Sequence, residues 1–243
     1  MTDFARRLDG VRIAFDATPG ERPVLLVHGF ASTAAVTWAG SGWVRALGEV
    51  GRAAITPDLR GHGRSDKPHR VADYAPRQLA ADLVAVLDSL ELDQVDVIGY
   101  SMGSRVVAAL AQLAPERVRR LVLGGAGPLE LFATWNLDAV NRFVLCGDLP
   151  TDPTIVAVLG PAIAAGADRD ALVACVQGVA GCTLDVPAGI PQLFVGGGAD
   201  PIVAGIAALA ARHGAEYLEL PGRTHLNALT SREFKQAALQ FLA

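Results

Sequence analysis

Val95-Asp96-Val97-Ile98-Gly99-Tyr100-Ser101-Met102-Gly103 is the stretch on which the reading of this chain turns. Val95–Ile98 is a short, mostly β-branched apolar run, as expected of a buried strand, and a helical pattern follows over Met102–Leu113. The five residues joining them must reverse the chain quickly. Small residues two positions either side of Ser101 let the backbone fold that tightly, and a serine at such a turn has its Oγ thrust out of the sheet. The helix start also offers free N–H groups and the positive end of the dipole to a developing negative charge. An ordinary Gly-Ser turn capping a helix is the plainer reading, and it loses ground as the partners below are added.

Outward from this turn, short apolar strands alternate with helical patterns, which predicts a mostly parallel sheet covered on both faces. Strands are expected at Val11–Phe15, Val24–Val27, Ala53–Thr56, Val95–Ile98, Val118–Leu123, Gln192–Val195 and Glu216–Leu220. Helices are expected at Val36–Val50, Pro76–Leu90, Met102–Leu113, Ile202–His213 and Ser231–Leu242. The alternation breaks between Gly127 and Pro187, where three helix-like pieces (Leu131–Cys146, Thr154–Ala165, Asp168–Ala180) replace any strand. This divides the chain into a core of 1–127 and 187–243 and an inserted helical cap of 128–186, over the strand ends where open α/β sheets bind ligands.

Composition sets the outer limits. The 243 residues are 51% hydrophobic and 19% charged with a net charge of −4, so a large core is feasible. There is no basic face for nucleic acid and no polybasic anchor for a membrane. No apolar run follows the N-terminal arginines, so a cytoplasmic protein without membrane insertion is expected, its three cysteines reduced. No His/Cys/Asp cluster has metal-ligand spacing, and no metal or cofactor is expected.

Two residues can serve Ser101. His225, after the last strand, can reach over the sheet edge and take the serine proton as a neutral imidazole. A lone loop histidine is more often idle; His28, His62, His69 and His213 fit the role worse. Asp200, between Gly198-Ala199 and Pro201, sits where a carboxylate could hold the imidazole tautomer, although Asp-Pro is equally a helix cap. Glu130 is the rival carboxylate. Backbone N–H groups of Phe30, in His28-Gly29-Phe30, and of Met102 can hold an oxyanion. His28 itself is expected to bond loop backbone. The glycines of Asp58–Asp66 lack the Lys-Ser/Thr of a phosphate loop and read as a structural turn.

Taken together, His28-Gly29-Phe30, Asp58–Asp66, Gly99–Gly103, Pro115-Glu116-Arg117-Val118, Gly198-Ala199-Asp200 and Thr224-His225 resemble the cap-bearing α/β-hydrolase superfamily over nearly the whole chain. The resemblance implies a central eight-stranded sheet, no cofactor, and a triad on Ser101, Asp200 and His225. Serine at the nucleophile position argues against epoxide hydrolases and haloalkane dehalogenases, which carry Asp there. The cap is short for the family. The expected activity is hydrolysis of carboxylic esters of small, largely apolar substrates through an acyl-enzyme. Alternatives are lactone, thioester or carbon–carbon bond cleavage, or a slow-turnover ligand sensor on the same scaffold. Arg142 and Arg169 are the insertion's candidates for meeting a charged substrate.

Overall fold

A computed structural model describes residues 2–243. Eight strands form one sheet: β1 (Asp3–Arg6), β2 (Arg12–Ala17), β3 (Glu21–Val27), β4 (Arg52–Pro57), β5 (Val95–Tyr100), β6 (Val118–Gly124), β7 (Gln192–Gly197) and β8 (Glu216–Leu220). Their spatial order is β1-β2-β4-β3-β5-β6-β7-β8. From β4 onward all neighbours are parallel, and the β1–β2 and β2–β4 pairings are antiparallel. Every residue of β4, β5 and β7 is buried, which explains why they are mostly apolar and why the charges they do carry, Arg52 and Asp96, pair with each other. The edge strand β8 instead keeps Glu216 and Glu219 exposed, a charge pattern that discourages pairing with another chain.

Alternation along the strands builds two cores. Leu25, Val27, Val95, Val97, Leu121 and Leu123 face α2 (Pro76–Ser89) and α3 (Met102–Leu113). Val24, Leu26, Ile98 and Val122 face the other way, onto Trp38, onto Trp43 and Leu47 of α1 (Trp43–Glu49), and onto Phe234 of α9 (Arg232–Phe241). Between β6 and β7 lie α4 (Leu137–Cys146), α5 (Pro153–Ala164) and α6 (Arg169–Val179). Each is capped by a side chain accepting from the first turn: Asn136, Asp152 and Asp168. Further on come α7 (Ile206–His213) and α8 (His225–Thr230).

Four expectations need correction. The helix expected over Val36–Val50 is two pieces, a single turn at Ala35–Ala39 and then α1, parted at Gly42, whose φ of +81° is left-handed. Ile202–His213 likewise starts late: a turn covers Pro201–Val203, and α7 begins after Gly205 at φ +82°. The piece expected as one helix over Leu131–Cys146 is a short turn, Leu131–Thr134, followed by α4. Finally, β1 and α8 were not foreseen. β1 buries only Ala5, so it carries no hydrophobic period, and α8 has six residues, under two turns.

Candidate active site

Ser101 sits at φ +55°, ψ −124°, a conformation costly for a residue with a side chain, between the end of β5 and the start of α3. The flanking glycines make this possible. A Cβ on Gly99 would lie 2.6 Å from the Gly103 carbonyl oxygen, and one on Gly103 would lie 2.6 Å from the His28 carbonyl oxygen and nearer still to that of Val27. The turn is tied down from behind: Ser101 N–H donates to Gly124 O at 2.8 Å, and the Ser104 hydroxyl lies 3.0 and 2.8 Å from the carbonyls of Gly99 and Gly124.

His225 is the first residue of α8, following the cap residue Thr224, whose N–H donates to Asn227 Oδ1 at 2.7 Å. Its Nδ1 lies 2.7 Å from Asp200 Oδ2. A carboxylate only accepts, so Nδ1 is the donor, and in the neutral imidazole this tautomer leaves Nε2 as the acceptor. The other oxygen of Asp200 accepts the Ile202 N–H at 3.0 Å, so the carboxylate caps the turn and orients the imidazole at once. Asp200 is buried, while about a quarter of the His225 side chain (24%) remains accessible. Tyr100, next to Ser101, donates its hydroxyl to the His225 carbonyl at 2.5 Å. Burial raises the phenol pKa and keeps that donor neutral.

Phe30 follows β3, and a Cβ on its neighbour Gly29 would lie 3.2 Å from Ser101 Cβ, so this loop runs close by the serine. Among the described residues, neither the Phe30 nor the Met102 N–H donates to a protein group. The next residue, Ala31, is also left-handed at φ +56°, and its N–H donates to His62 Nε2 at 3.1 Å. His62 holds its other nitrogen 3.0 Å from Arg60 O. Its ring meets His28 edge-on at 5.3 Å, and His28 Nε2 accepts the Leu59 N–H, as expected of a histidine bonding loop backbone. Burial, aided by the neighbouring ring, pushes the His62 pKa down to about 3, and burial lowers that of His28. Both imidazoles are therefore fixed acceptors at neutral pH. Asp58–Asp66 is structural as read: Asp58 accepts the N–H groups of Ala34 and Arg64 at 2.8 and 3.0 Å.

Ser101 and His225 open on one cavity of about 710 Å³, walled by Phe30, Leu131, Phe132, Val158, Pro161 and Leu229. Glu130 also reaches it, but its carboxylate accepts the N–H groups of Phe132, Ala133 and Gly181 at 2.8, 2.9 and 3.2 Å, far from any role with His225. Burial raises its pKa, against the pull of those donors. The one cation in the lining is Arg105, which sequence reasoning passed over. One turn after Ser101, it donates to the carbonyls of Cys182, Gly127 and Leu129 at 2.9, 2.7 and 2.8 Å. An arginine interrupting the apolar face of α3 was the available signal. Arg142 and Arg169 line no part of the cavity, and Arg169 donates to Val144 O instead.

The structure does bring together, among the described residues, one group of metal-ligand type, the exposed His69 and Asp170 with the half-buried Asp168, with ligand atoms within 4.8 Å of one another. Sequence spacing could not reveal it, because His69 and Asp168 stand 99 positions apart. None of the three lines the cavity. All three cysteines are unpaired, and burial pushes the Cys175 and Cys182 thiols up, Cys182 to about 11. Among the described residues no helix is long and apolar enough to cross a membrane.

Residues 22–164 match the protein family described as alpha/beta hydrolase fold. A 2-hydroxy-6-oxo-2,4-heptadienoate hydrolase of Pseudomonas putida is 41% identical over 120 residues, 49% of this chain and 42% of that protein. The chain covers less than half the length of the curated relatives it matches first. Among solved structures, a hydrolase from Pseudomonas aeruginosa PA01 superposes with a TM-score of 0.81 at 24% identity, covering 100% of this chain and 98% of that one. Est816, described as an N-acyl homoserine lactone degrading enzyme, gives a TM-score of 0.76 at 25% identity, with 98% and 100% covered.

Proposed function

The chain belongs to the alpha/beta hydrolase fold family, and we propose that within it the protein is a serine hydrolase cleaving carboxylic esters with an apolar acyl group. The observation that carries this reading is the 2.7 Å Asp200–His225 pair opening on the same apolar cavity as a strained, outward-facing Ser101. In the proposed reaction His225 Nε2 takes the Oγ proton as Ser101 attacks the ester carbonyl, and Asp200 stabilises the resulting imidazolium. The N–H groups of Phe30 and Met102 hold the oxyanion, each worth about 2.7–4 kcal/mol of barrier in comparable hydrolases. Collapse expels the alcohol, which leaves with the proton from His225. Water then repeats the sequence on the acyl-enzyme and frees the acid. Under this reading the helices of 128–186 act as a cap that sets the acyl pocket.

A second reading draws on the Pseudomonas putida relative, whose printed name describes a substrate bearing both a ketone and a carboxylate. The same serine could attack a ketone carbonyl. The ester reading is better supported, because the Arg105 guanidinium that would meet a carboxylate already serves three backbone carbonyls. The deciding test is labelling with a fluorophosphonate followed by peptide mass analysis. Ser101 is expected to carry the adduct, and folded Ser101→Ala protein is expected to lose labelling and about 10⁶ of turnover. Label on another residue, or an active Ser101→Ala, overturns the assignment.

A further inference from the structure

A second concavity of about 480 Å³ lies beside the first, between α1 and α9, and Thr230 lines both. Gly42 lines it, and two cationic heads converge beside that glycine. The position a Cβ would take there lies 3.5 Å from an Arg45 terminal nitrogen and 3.8 Å from Lys235 Nζ. Arg232 lines the same groove. Among the described residues neither Lys235 nor Arg232 forms an ion pair, and Arg45 has only an exposed i,i+4 contact at 3.7 Å with Glu49, which also lines the groove. Such a contact leaves the guanidinium essentially free.

Helix energetics oppose this arrangement. Arg232 occupies the first turn of the ten-residue α9, where the dipole disfavours a cation. Lys235 is half-buried on the same helix, and burial together with Arg45 pulls its pKa below the usual value. Its ammonium donates to Ser41 O at 2.6 Å and Thr230 O at 3.3 Å, both residues of the cavity mouth. Three cations thus line a groove that shares Thr230 with the catalytic cavity; Glu49, the one carboxylate in its lining, meets Arg45 at 3.7 Å, and among the described residues no carboxylate pairs with Lys235 or Arg232.

We infer that this groove is an anion subsite, formed by Arg45, Arg232 and Lys235, for a phosphate group on the leaving-group side of the substrate. The inference rests on the serine-hydrolase reading for its substrate, and it assigns that substrate to a class: an apolar acyl group esterified or thioesterified to a phosphate-bearing alcohol or thiol. The acyl chain fills the uncharged cavity, and the tail leaves past Thr230 onto the groove. Phosphate suits it better than a single carboxylate, since a dianion can engage several cations at once.

Two measurements test this separately. Inorganic phosphate is titrated into Ser101→Ala protein while amide resonances are followed, a readout that needs no turnover. Shifts at Gly42, Arg45 and Thr230 are expected, and they should vanish in an R45E/R232E variant of the same protein. Shifts that survive the double substitution, or none at all, overturn the subsite. In the second arm, hydrolysis of a matched pair of esters is compared, alike except for a phosphate on the alcohol. The phosphorylated ester is expected to have a kcat/KM about ten-fold higher, equal to about 1.4 kcal/mol. That ratio should fall toward one in high salt and in R45E/R232E. Phosphate binding without any preference between the esters refutes the leaving-group assignment. Failure to cleave either ester counts against the serine-hydrolase reading, while the titration still decides the groove.

Discussion

Two helical glycines should respond to the same substitution with opposite signs. Gly48 lies exposed within α1, and a Cβ there would meet nothing within 4 Å. Gly48→Ala relieves the entropy cost of glycine in a helix and should stabilise the fold by about 0.5–1 kcal/mol. Gly103 lies within α3, where the same helix preference applies, but its added methyl would face the carbonyls of Val27 and His28, the latter at 2.6 Å. Ordinary contact begins at 3.4 Å, so α3 must retreat from β3 by about 0.8 Å or more. The obstruction is backbone within a buried sheet and cannot rotate away. Overpacking of this kind costs about 1–3 kcal/mol, more than the helix preference returns. The retreat also carries Met102 N–H and Ser101 out of line. Misplacement on the order of 1 Å costs about 10²-fold in rate. Urea unfolding and single-turnover acylation should therefore show Gly48→Ala raised in midpoint with normal acylation. Gly103→Ala should be lowered in both. A Gly103→Ala protein matching the parent in midpoint and acylation rate would refute the packing argument, and with it the claim that the helix–strand approach sets the serine's position.

Further outcomes follow from the site. Asp200→Asn should reduce turnover by about 10⁴, through loss of the imidazole tautomer. Glu130→Gln should instead lower the unfolding free energy by about 1–3 kcal/mol, by weakening the bonds to three backbone N–H groups, with kcat nearly unchanged; kinetics and urea melts of the two variants separate the roles. In a series of p-nitrophenyl esters, each added methylene should improve kcat/KM by about 0.8 kcal/mol until the apolar cavity is full, after which it declines. A rise continuing to very long chains would instead indicate an open surface. Acid should weaken the fold through His62. The unfolded imidazole takes up its proton near pH 6.5, the folded one only near pH 3, so protonation favours unfolding. Stability from this group is complete above about pH 6.5 and declines as pH falls below it, by about 2 kcal/mol at pH 5. Urea midpoints at pH 7.5 and 5 measure the loss, and His62→Gln should flatten it.

Much of this site could be read from residue order because its side chains sit where strands end. Ser101, Asp200 and His225 follow the ends of β5, β7 and β8 by one, three and five residues, so the apolar runs pointed to the loops that carry them. Asp200 was legible both as a cap and as a partner to His225, and it is both. The proposed oxyanion donors were legible only as positions, since a backbone N–H leaves no mark on residue identity. What stayed hidden depends on distance along the chain. The Ala31–His62 bond, the Arg105 contacts to Gly127 and Cys182, and the Arg45–Lys235 convergence join segments far apart in sequence. β1 and α8 were missed for a different reason: four and six residues are too few to express a period.

The order of the strands also works as a ruler. Ser101 follows β5 and Asp200 follows β7, with β6 between them. Adjacent strands stand about 4.8 Å apart, so the two carboxyl ends are separated by about 10 Å, a span one imidazole and two short side chains can bridge. A carboxylate just beyond β6, as Glu130 is, would start at half that spacing. The middle strand must then leave clear the space that the bridge crosses. It ends at Gly124, followed by Gly125, and a methyl on either would strike the Tyr100 ring, at 2.8 and 2.7 Å. The missing side chains form a notch through which Tyr100 reaches the His225 carbonyl. The strand spacing of the sheet fixes how far apart Asp200 and Ser101 stand, and the gap at the end of the intervening strand makes room for the Tyr100 ring that braces His225.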